Sequence, residues 1–548
     1  MENTLYYGDN LEILRKYIKD ESVDLIYLDP PFNSKANYNV LFKDESGESK
    51  AQIQAFTDFW HWDEESAKTY DYLVTNPNVP AKVSNLISAL HSFLGQNQMS
   101  AYLVMMAVRL IELHRVLKNT GSLYLHCDPT ASHYIKIILD AVFGEENFIN
   151  EIVWKKTNSP KPQSDGFGKQ HDIIFFYAKL KSQNFFNRIY KNPDEDYLKA
   201  FMYEDNDGKG KYQSIALSNK TGIGGFAKMK VWEWRGVKAR WIYSKETLDD
   251  WWNKGLIIKT KNGYRKKYYL SESKGQLVSD LWVDKEVAPL QGLAREKLGY
   301  PTQKPLSLLE RIISASSKEN DFILDPFCGC GTTIDAVEKI NKETHSDRKW
   351  VGIDITHLAI NLIKRRIKEK YYNCKFEVVG EPKDLEGAKD LALKDRYQFE
   401  WWALDLIDAR PANDKKKGAD QGVDGIIFLQ NPNMKEPIKA LVQVKSGHVK
   451  SDMITALKGA MERDKAKYGI FITLEEPTQP MIKEALEKGF ETESLTKEKI
   501  PKVEIITIKE LLEGKIPKLQ QVYNKINITY QKAEKDKTKE KKGYYKKL

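Results

Sequence analysis

The chain has 548 residues, of which 41% are hydrophobic and 30% charged, with a net charge of +9. A chain of this length is too long for one hydrophobic core, so we expect a globular protein of two or three domains. Its positive net charge suits a polyanionic partner. No apolar run approaches the about 20 residues that cross a bilayer, the first residues lack a secretion signal, and four cysteines cannot form a disulfide framework, which together predict a cytoplasmic protein with no membrane partner.

Residues 1–150 alternate strand-like and helix-like segments, a pattern typical of a doubly wound α/β sheet. The apolar run at residues 23–28 ends at two prolines, which predicts a buried parallel strand and a loop at its carboxyl end. Apolar spacing predicts a helix over residues 101–117, and residues 121–126 predict a second strand.

The loop after the first buried strand reads Asp29-Pro30-Pro31-Phe32 and suits chemistry on the exocyclic amine of a nucleobase. Such an amine is conjugated with its ring and is a poor nucleophile. The Asp29 carboxylate and the Pro30 carbonyl, held rigidly by the two prolines, can accept hydrogen bonds from the NH2 group and localise its lone pair. The Phe32 ring can stack on a base flipped out of a duplex. On this motif alone, a purely structural proline-rich strand exit is the alternative.

Residues 151–290 are dense in tryptophan and tyrosine and lose the strand–helix alternation. Arginines and lysines lie between the aromatic residues, and glycines recur at loop-like intervals. This change of character predicts an inserted subdomain. A small hydrophobic core explains most of its tryptophans.

Residues 291–375 return to the α/β pattern and contain a glycine-rich turn between a strand and a helix. Gly329 and Gly331 let the backbone lie close to a ligand, and Asp325 before them can accept hydrogen bonds from an ammonium group. Asp354 ends the next strand, where a carboxylate commonly holds ribose hydroxyls. The turn lacks the lysine of a phosphate loop and the third glycine of the dinucleotide fingerprint, so a nucleoside without a pyrophosphate fits better. A glycine-rich turn without a ligand is the alternative.

Together, these two motifs resemble the N4/N6 amino-methyltransferases of restriction-modification systems, in the β-group order that places the catalytic motif first. The resemblance covers residues 1–370 and includes residues 8–10, 121–126, 143–154 and 302–306. It implies a Rossmann-like S-adenosylmethionine-dependent fold, with the insert recognising double-stranded DNA through its arginines and lysines. The cofactor-binding residues it implies are Asp9, Asn10, Lys304, Asp325, Pro326, Phe327, Gly329, Gly331, Thr332 and Asp354.

The target base follows from the first residue of the catalytic motif. In this family a leading Asp tends to accompany adenine and a leading Ser cytosine, so Asp29 favours N6 of adenine, and N4 of cytosine is the alternative. Methylation at C5 of cytosine needs a cysteine after a proline, and the chain has no Pro-Cys dipeptide.

Residues 376–395 are predicted to be a linker, residues 396–520 a further α/β domain, and residues 521–548 a basic tail. The four residues of this domain that stand out are Glu400, Asp424, Gln443 and Lys445. Asp424 precedes one predicted strand, Gln443 and Lys445 end the next, and Glu400 lies in a predicted helix over residues 399–407. Phosphodiester hydrolysis needs oxygen ligands for Mg²⁺ and a group that positions water.

This pattern resembles the PD-(D/E)xK nucleases, most closely the Mrr-like branch, in which Gln replaces the usual acid. It implies that Glu400, Asp424, Gln443 and Lys445 carry nuclease chemistry, with Asp424 and Gln443 as Mg²⁺ ligands. Gln is a poorer metal ligand than a carboxylate, so a domain that only binds DNA is the alternative. A DNA-binding protein with both sites inactive is a further alternative, and the sequence leaves open whether the chain is a monomer or a homodimer.

Overall fold

The structure is a computed structural model that describes residues 2–31, 37–43, 49–57, 62–159, 166–205, 207–219, 230–261, 263–290, 296, 298, 300, 302–412, 422–429, 437–493 and 497–523. Phe32 of the expected catalytic motif lies outside these residues, as does most of the expected basic tail. The chain divides into two compact units, Met1–Phe186 with Val283–Leu548, and Asn187–Trp282.

The first part of the larger unit has the expected strand–helix alternation. In chain order it contains β1 (Thr4–Tyr7), α1 (Asn10–Tyr17), β2 (Val23–Leu28), β3 (Asn37–Lys43), β4 (Ser49–Thr57), α2 (Glu64–Thr75), α3 (Ala81–Leu94), α4 (Gln98–Val116), β5 (Leu117–Cys127), α5 (Ser132–Phe143), β6 (Phe148–Lys155) and β7 (His171–Ala178). The Asn97 side chain accepts a hydrogen bond from the Ser100 amide and so caps the start of α4. Within the described part of the chain, no helix combines the length and the apolar character that a membrane crossing requires.

The smaller unit is an aromatic subdomain of short strands. It contains β8 (Tyr190–Lys191), α6 (Glu195–Lys199), β9 (Tyr203–Glu204), β10 (Lys211–Ala216), β11 (Ser218–Asn219), β12 (Trp232–Trp234), β13 (Val237–Trp241), α7 (Lys245–Asn253), β14 (Ile257–Thr260), β15 (Gly263–Tyr269), β16 (Gln276–Leu277) and β17 (Leu281–Trp282). Trp234, Trp241 and Tyr264 are buried together in its core, as expected from the sequence. This unit is narrower than the insert expected at residues 151–290, because β6 and β7 pair with each other and with β5.

The chain then resumes the α/β alternation with α8 (Leu306–Ser316), β18 (Phe322–Asp325), α9 (Thr332–Thr344), β19 (Lys349–Asp354), α10 (His357–Lys370) and β20 (Glu377–Val379). The strands of the larger unit form a sheet in the order β6-β7-β5-β2-β18-β19-β1-β20. From β5 to β20 neighbouring strands are parallel, whereas β7 is antiparallel to both β5 and β6.

The strand order of this sheet reverses direction at its centre. From β2 the chain proceeds to β5 on one side, and from β18 it proceeds to β19 on the other, so β2 and β18 are parallel neighbours. Ligands of open α/β sheets bind beyond the carboxyl ends of the strands at such a point. The order is that of a Rossmann-like sheet with antiparallel strands at one edge, which confirms the expected fold class.

The C-terminal part of the larger unit forms a second α/β domain with its own sheet. It contains α11 (Leu385–Lys394), α12 (Arg396–Asp405), β21 (Arg410–Pro411), β22 (Gly425–Leu429), β23 (Ile438–Lys445), α13 (Ser451–Arg463), β24 (Tyr468–Thr473), α14 (Gln479–Glu487), β25 (Phe490–Thr492), β26 (Lys499–Pro501), β27 (Val503–Thr507), α15 (Ile508–Leu512) and α16 (Lys518–Tyr523). Its sheet has the order β21-β22-β23-β24-β27, with β22 antiparallel and β24 parallel to β23. Separate clusters of buried side chains include Val442 and Ile470 in one and Leu441 and Phe471 in the other, as expected for a sheet covered on both faces.

Two expectations about this region need adjustment. The linker expected at residues 376–395 contains β20, which pairs with β1, and α11. The helix expected at residues 399–407 begins three residues earlier, because the Asp395 carboxylate accepts hydrogen bonds from the amides of Tyr397 and Gln398 and caps it there.

Candidate active sites

Three carboxylates end neighbouring strands at one edge of the first sheet. Asp29 follows β2, Asp325 is the last residue of β18, and Asp354 is the last residue of β19. Their residues line one cavity of about 670 Å³, a volume typical of small-molecule sites. The other expected site residues that line it are Asp9, Asn10, Pro30, Pro31, Lys304, Pro326, Phe327, Gly329 and Thr332.

The two glycines of the turn after β18 have different roles. Gly329 lines the cavity, and its amide donates a hydrogen bond to Asp354 Oδ2 at 2.9 Å. Gly331 has a φ of +74°, and a Cβ there would lie 2.6 Å from Cγ1 of Ile363 on α10. Gly331 is not among the residues that line the cavity. It permits close packing of the turn on α10.

Asp325 is a buried acid held in a fixed orientation. Thr333 Oγ1 donates a hydrogen bond to its Oδ2 at 2.5 Å, and the Phe327 amide donates one to its Oδ1 at 3.1 Å. Burial raises the pKa of Asp325 to about 7, because desolvation disfavours the charged form. A cation that binds here restores the charged form, so the site suits an ammonium group.

Asp354 is likewise buried and oriented. Its Oδ1 accepts hydrogen bonds from the amide and hydroxyl of Thr356, at 2.9 and 2.8 Å. Burial raises the pKa of Asp354 to about 6, although the hydrogen bonds from Thr356 and Gly329 oppose that rise. Such a carboxylate has the position expected for a ligand of ribose hydroxyls.

Asp29 lines the cavity, and its two carboxylate oxygens differ in their partners. Lys304 Nζ donates a hydrogen bond to Asp29 Oδ2, in an ion pair whose side chains are 9% and 16% exposed. Asp29 Oδ1 is buried and has no hydrogen-bond partner among the described residues. An unpaired buried acceptor is costly, so this oxygen is suited to a donor supplied by a ligand. Lys304, expected to border the cofactor, therefore also pairs with the carboxylate of the expected catalytic motif.

Asp9 and Asn10 hold neighbouring parts of the cavity wall together. Asp9 caps α1 by accepting a hydrogen bond from the Leu11 amide, and its Oδ2 pairs with Arg109 Nη2 at 2.6 Å. Asn10 accepts a hydrogen bond from Arg109 Nε at 2.5 Å and donates one to the Pro326 carbonyl at 2.8 Å. Arg109 lines the cavity, and sequence reasoning missed it.

A buried chain of polar side chains begins at Tyr27, two residues before Asp29. Tyr27 lines the cavity, and its hydroxyl lies 3.1 Å from Nδ1 of His126. His126 Nε2 lies 3.4 Å from Asp172, which also accepts a hydrogen bond from Lys156 at 2.6 Å. These two donors outweigh desolvation and lower the pKa of Asp172 to about 2.

The four residues singled out in the C-terminal part lie on the elements expected for them. Asp424 precedes β22, and its Oδ2 accepts a hydrogen bond from the Val444 amide at 2.8 Å. Lys445 Nζ lies 3.8 Å from the same oxygen. Gln443 is 4% exposed, and its Oε1 has no hydrogen-bond partner among the described residues. Glu400 lies buried on α12.

Metal ligation here would depend on few carboxylates. In the described ranges, no group of three or more His, Cys, Asp or Glu side chains is arranged to hold a metal ion. The unpaired Gln443 oxygen beside Asp424 is the type of ligand that Mg²⁺ accepts. Water would have to complete such a coordination shell.

Comparisons with known proteins agree with this two-part architecture. A DNA methylase family model matches residues 23–365, and a restriction endonuclease family model matches residues 394–513. The type II methyltransferase M.EcaI of Enterobacter cloacae is 29% identical over 67% of this chain and 69% of its own length. The Mod subunit of the type III restriction-modification enzyme StyLTI of Salmonella typhimurium is 26% identical over 66% of this chain.

The extent of these matches differs between relatives. The match spans 53% of the StyLTI Mod subunit, about half of that protein. The type II methyltransferase M.KpnI of Klebsiella pneumoniae is 24% identical over 65% of this chain and 81% of its own length. The DNA methylase model covers more than half of this chain and confirms the resemblance to the N4/N6 amino-methyltransferases. The restriction endonuclease model confirms the resemblance of the C-terminal domain to nucleases. The chain belongs to the N4/N6 DNA methylase family and carries a C-terminal restriction-endonuclease-like domain.

Proposed function

We propose that this chain transfers a methyl group from S-adenosylmethionine to N6 of adenine in double-stranded DNA, as part of a restriction-modification system. One observation carries the proposal: Asp29, whose buried Oδ1 is unpaired, lines the same cavity as Asp325 and Asp354. An acceptor for an amine, a buried acid suited to an ammonium group and an oriented carboxylate suited to ribose thus share one site. The names of the relatives M.EcaI and StyLTI Mod support this class of reaction.

The residues of the cavity fit the cofactor. Asp325 would hold the ammonium of its methionine part, Asp354 the ribose hydroxyls, and Gly329 would let the backbone lie against it. When bound, S-adenosylmethionine supplies a methyl group on a sulfonium, which an amine can attack directly.

The catalytic loop would act on the target amine. Asp29 Oδ1 and the Pro30 carbonyl accept hydrogen bonds from its two N–H groups, and these bonds localise the lone pair on the nitrogen. The Pro30-Pro31 pair keeps both acceptors fixed, so little reorganisation is needed when the base arrives. The ammonium of Lys304 pairs with the other oxygen, Oδ2, and so leaves Oδ1 for the target amine. Phe32 is the residue we propose for stacking on the flipped base.

The leading Asp of the catalytic loop is the reason to prefer adenine over cytosine. Modified-base detection by single-molecule sequencing of plasmid DNA, from cells expressing wild type, Asp29→Ala or Asp71→Ala, tests this. Asp71 is an exposed acid on α2 and does not line the cavity. We expect N6-methyladenine at one short motif with wild type and Asp71→Ala, and none with Asp29→Ala. N4-methylcytosine would refute the choice of base, and no modification by folded protein would refute the reaction.

The unit Asn187–Trp282 is the proposed target-recognition subdomain. The Arg235 guanidinium lies 4.3 Å from the centre of the Trp252 ring, and Lys266 Nζ lies 4.0 Å from the centre of the Trp251 ring. Cations held on aromatic faces are preorganised for contacts with bases and phosphates.

For the C-terminal domain we propose Mg²⁺-dependent hydrolysis of DNA. Asp424 and Gln443 would hold the ion, and Lys445 would position the attacking water. Glu400 would be the second acidic residue of the site. The buried, unpaired Gln443 oxygen next to Asp424 supports this assignment. A domain that only binds DNA is the competing function, because an amide is a weaker ligand than a carboxylate.

Plasmid cleavage by purified protein with and without Mg²⁺ separates these two functions. Lys445→Ala is the test variant, and Lys483→Ala, at an exposed position of α14, is its matched control. We expect Mg²⁺-dependent cleavage by wild type and Lys483→Ala and none by Lys445→Ala. DNA binding without cleavage by wild type would favour the binding module.

A further inference from the structure

The helix α12 belongs to the C-terminal domain, yet one of its residues lines the cavity of the first sheet. Phe399, Trp402 and Leu404 of α12 are buried in the core of the C-terminal domain. The DNA methylase match ends at residue 365, well before this helix. Gln398, on the same helix, nevertheless lines the cavity together with Asp354.

The orientation of the Gln398 amide is fixed by a backbone group. Its Oε1 accepts a hydrogen bond from the His357 amide at 2.9 Å. Because a backbone N–H can only donate, the atom that faces it must be the oxygen. The amide nitrogen of Gln398 therefore remains as a donor for a ligand. His357 comes directly after Thr356, whose amide and hydroxyl orient Asp354.

Further contacts hold α12 at this position. Trp401 packs against the buried cluster of Tyr300, Cys330 and Leu358, and both Tyr300 and Cys330 line the cavity. Lys364 Nζ of α10 pairs with Asp405 at the end of α12 at 2.8 Å. These contacts leave Gln398 little freedom to move away from the cavity.

The part of the cavity next to Gln398 has the chemistry of a nucleobase site. Ile355, between Asp354 and Thr356, is 59% exposed and lines the cavity. An exposed aliphatic side chain beside a ribose-binding carboxylate offers an apolar surface for the face of a purine. Adenine carries ring-nitrogen acceptors at its edge, and an amide donor matches them.

We propose that Gln398 binds the adenine ring of S-adenosylmethionine, so that the restriction-endonuclease-like domain supplies one wall of the cofactor pocket. This inference rests on the proposed function, since it presupposes that the cavity takes this cofactor. It goes beyond the methyltransferase motifs, all of which lie before residue 365.

Isothermal titration of the full-length protein with S-adenosylhomocysteine tests the inference. Gln398→Glu keeps an oxygen that can accept from the His357 amide and loses the donor, whereas Gln398→Leu loses both. Gln479→Leu, at an exposed position in the same domain, is the matched control. We expect Gln398→Glu to weaken binding about 3- to 10-fold, the effect of one lost hydrogen bond, with an unchanged melting temperature. Gln479→Leu should bind as wild type does.

The outcomes separate this inference from the proposed function. If wild type binds and Gln398→Glu binds equally well, Gln398 only caps α10 and the inference is wrong, even if Gln398→Leu binds more weakly. If wild type fails to bind the ligand, the proposed cofactor is wrong and the inference falls with it.

Discussion

The buried Asp325 carboxyl should make cofactor affinity depend on pH near neutrality. Its pKa in the free protein is about 7, and a bound ammonium group would lower that value because it favours the charged form. Binding should therefore weaken as the pH falls and Asp325 becomes protonated. Asp325→Asn removes the titrating group and keeps the shape of the side chain.

The size of this effect follows from the two pKa values. A group with a pKa of about 7 is ionised to about 75% at pH 7.5 and about 9% at pH 6.0, an about eightfold difference in competent protein. The pKa of Asp354 is about 6, so its ionised fraction falls only about twofold over this range. Wild type should therefore lose about 16-fold in affinity, and Asp325→Asn about twofold.

The free protein should show the opposite trend in stability. Folding raises the pKa of Asp325 from 3.8 to about 7, so the folded state binds this proton more tightly. This contribution to stability is complete below about pH 3.8 and is lost as the pH rises through about 7. Raising the pH from 6.0 to 7.5 should thus lower the stability of the free protein through Asp325 while it strengthens ligand binding.

Titration calorimetry with S-adenosylhomocysteine at pH 6.0, 6.5, 7.0 and 7.5 measures the affinities, and urea unfolding at the same pH values measures the stability. Equal pH dependence of binding in wild type and Asp325→Asn would refute the role given to this carboxyl. A wild-type affinity that does not change between pH 6.0 and pH 7.5 would refute it as well.

Three further substitutions have defined outcomes. Lys304→Met leaves Asp29 partly buried without its cation and should lower the free energy of unfolding by about 1–3 kcal/mol in urea; unchanged stability would contradict the pairing. Asp172→Asn should lower the free energy of unfolding by about 2 kcal/mol at pH 7, because the pKa of Asp172 is lowered to about 2 in the folded protein. The loss should be smaller towards pH 3, since this contribution to stability disappears as the pH falls through about 2. Gln443→Glu adds a charged metal ligand and should lower the Mg²⁺ concentration for half-maximal DNA cleavage about tenfold; a higher requirement would argue against Gln443 as a ligand.

The sequence predicted the positions of the acidic residues well because each follows a buried strand. Parallel strands of one sheet align their carboxyl ends, and the structure brings Asp29, Asp325 and Asp354 to one cavity. The strand–helix alternation and the family resemblance were enough to predict the fold class, which the sheet order confirms.

The sequence did not predict the contacts between distant segments. Lys304 and Asp29 are 275 positions apart, and no local pattern pairs them. Arg109 is a single cation in an otherwise apolar stretch of α4 and resembles any surface residue of a helix. Gly329 and Gly331 look alike in sequence, and only the position of Ile363 shows that Gly331 serves packing.

The placement of α12 limits how such a chain can be rebuilt. One face of α12 packs in the C-terminal core, and Gln398 and Trp401 of the same helix contact residues of the methylase part. Replacement of the whole C-terminal domain would therefore also remove these two residues. A graft of another nuclease domain would have to supply residues equivalent to Gln398 and Trp401 at this position. The workable junction for a chimaera therefore lies after Asp405, within the fold of the second domain, and each new partner would have to be fitted to the retained helix.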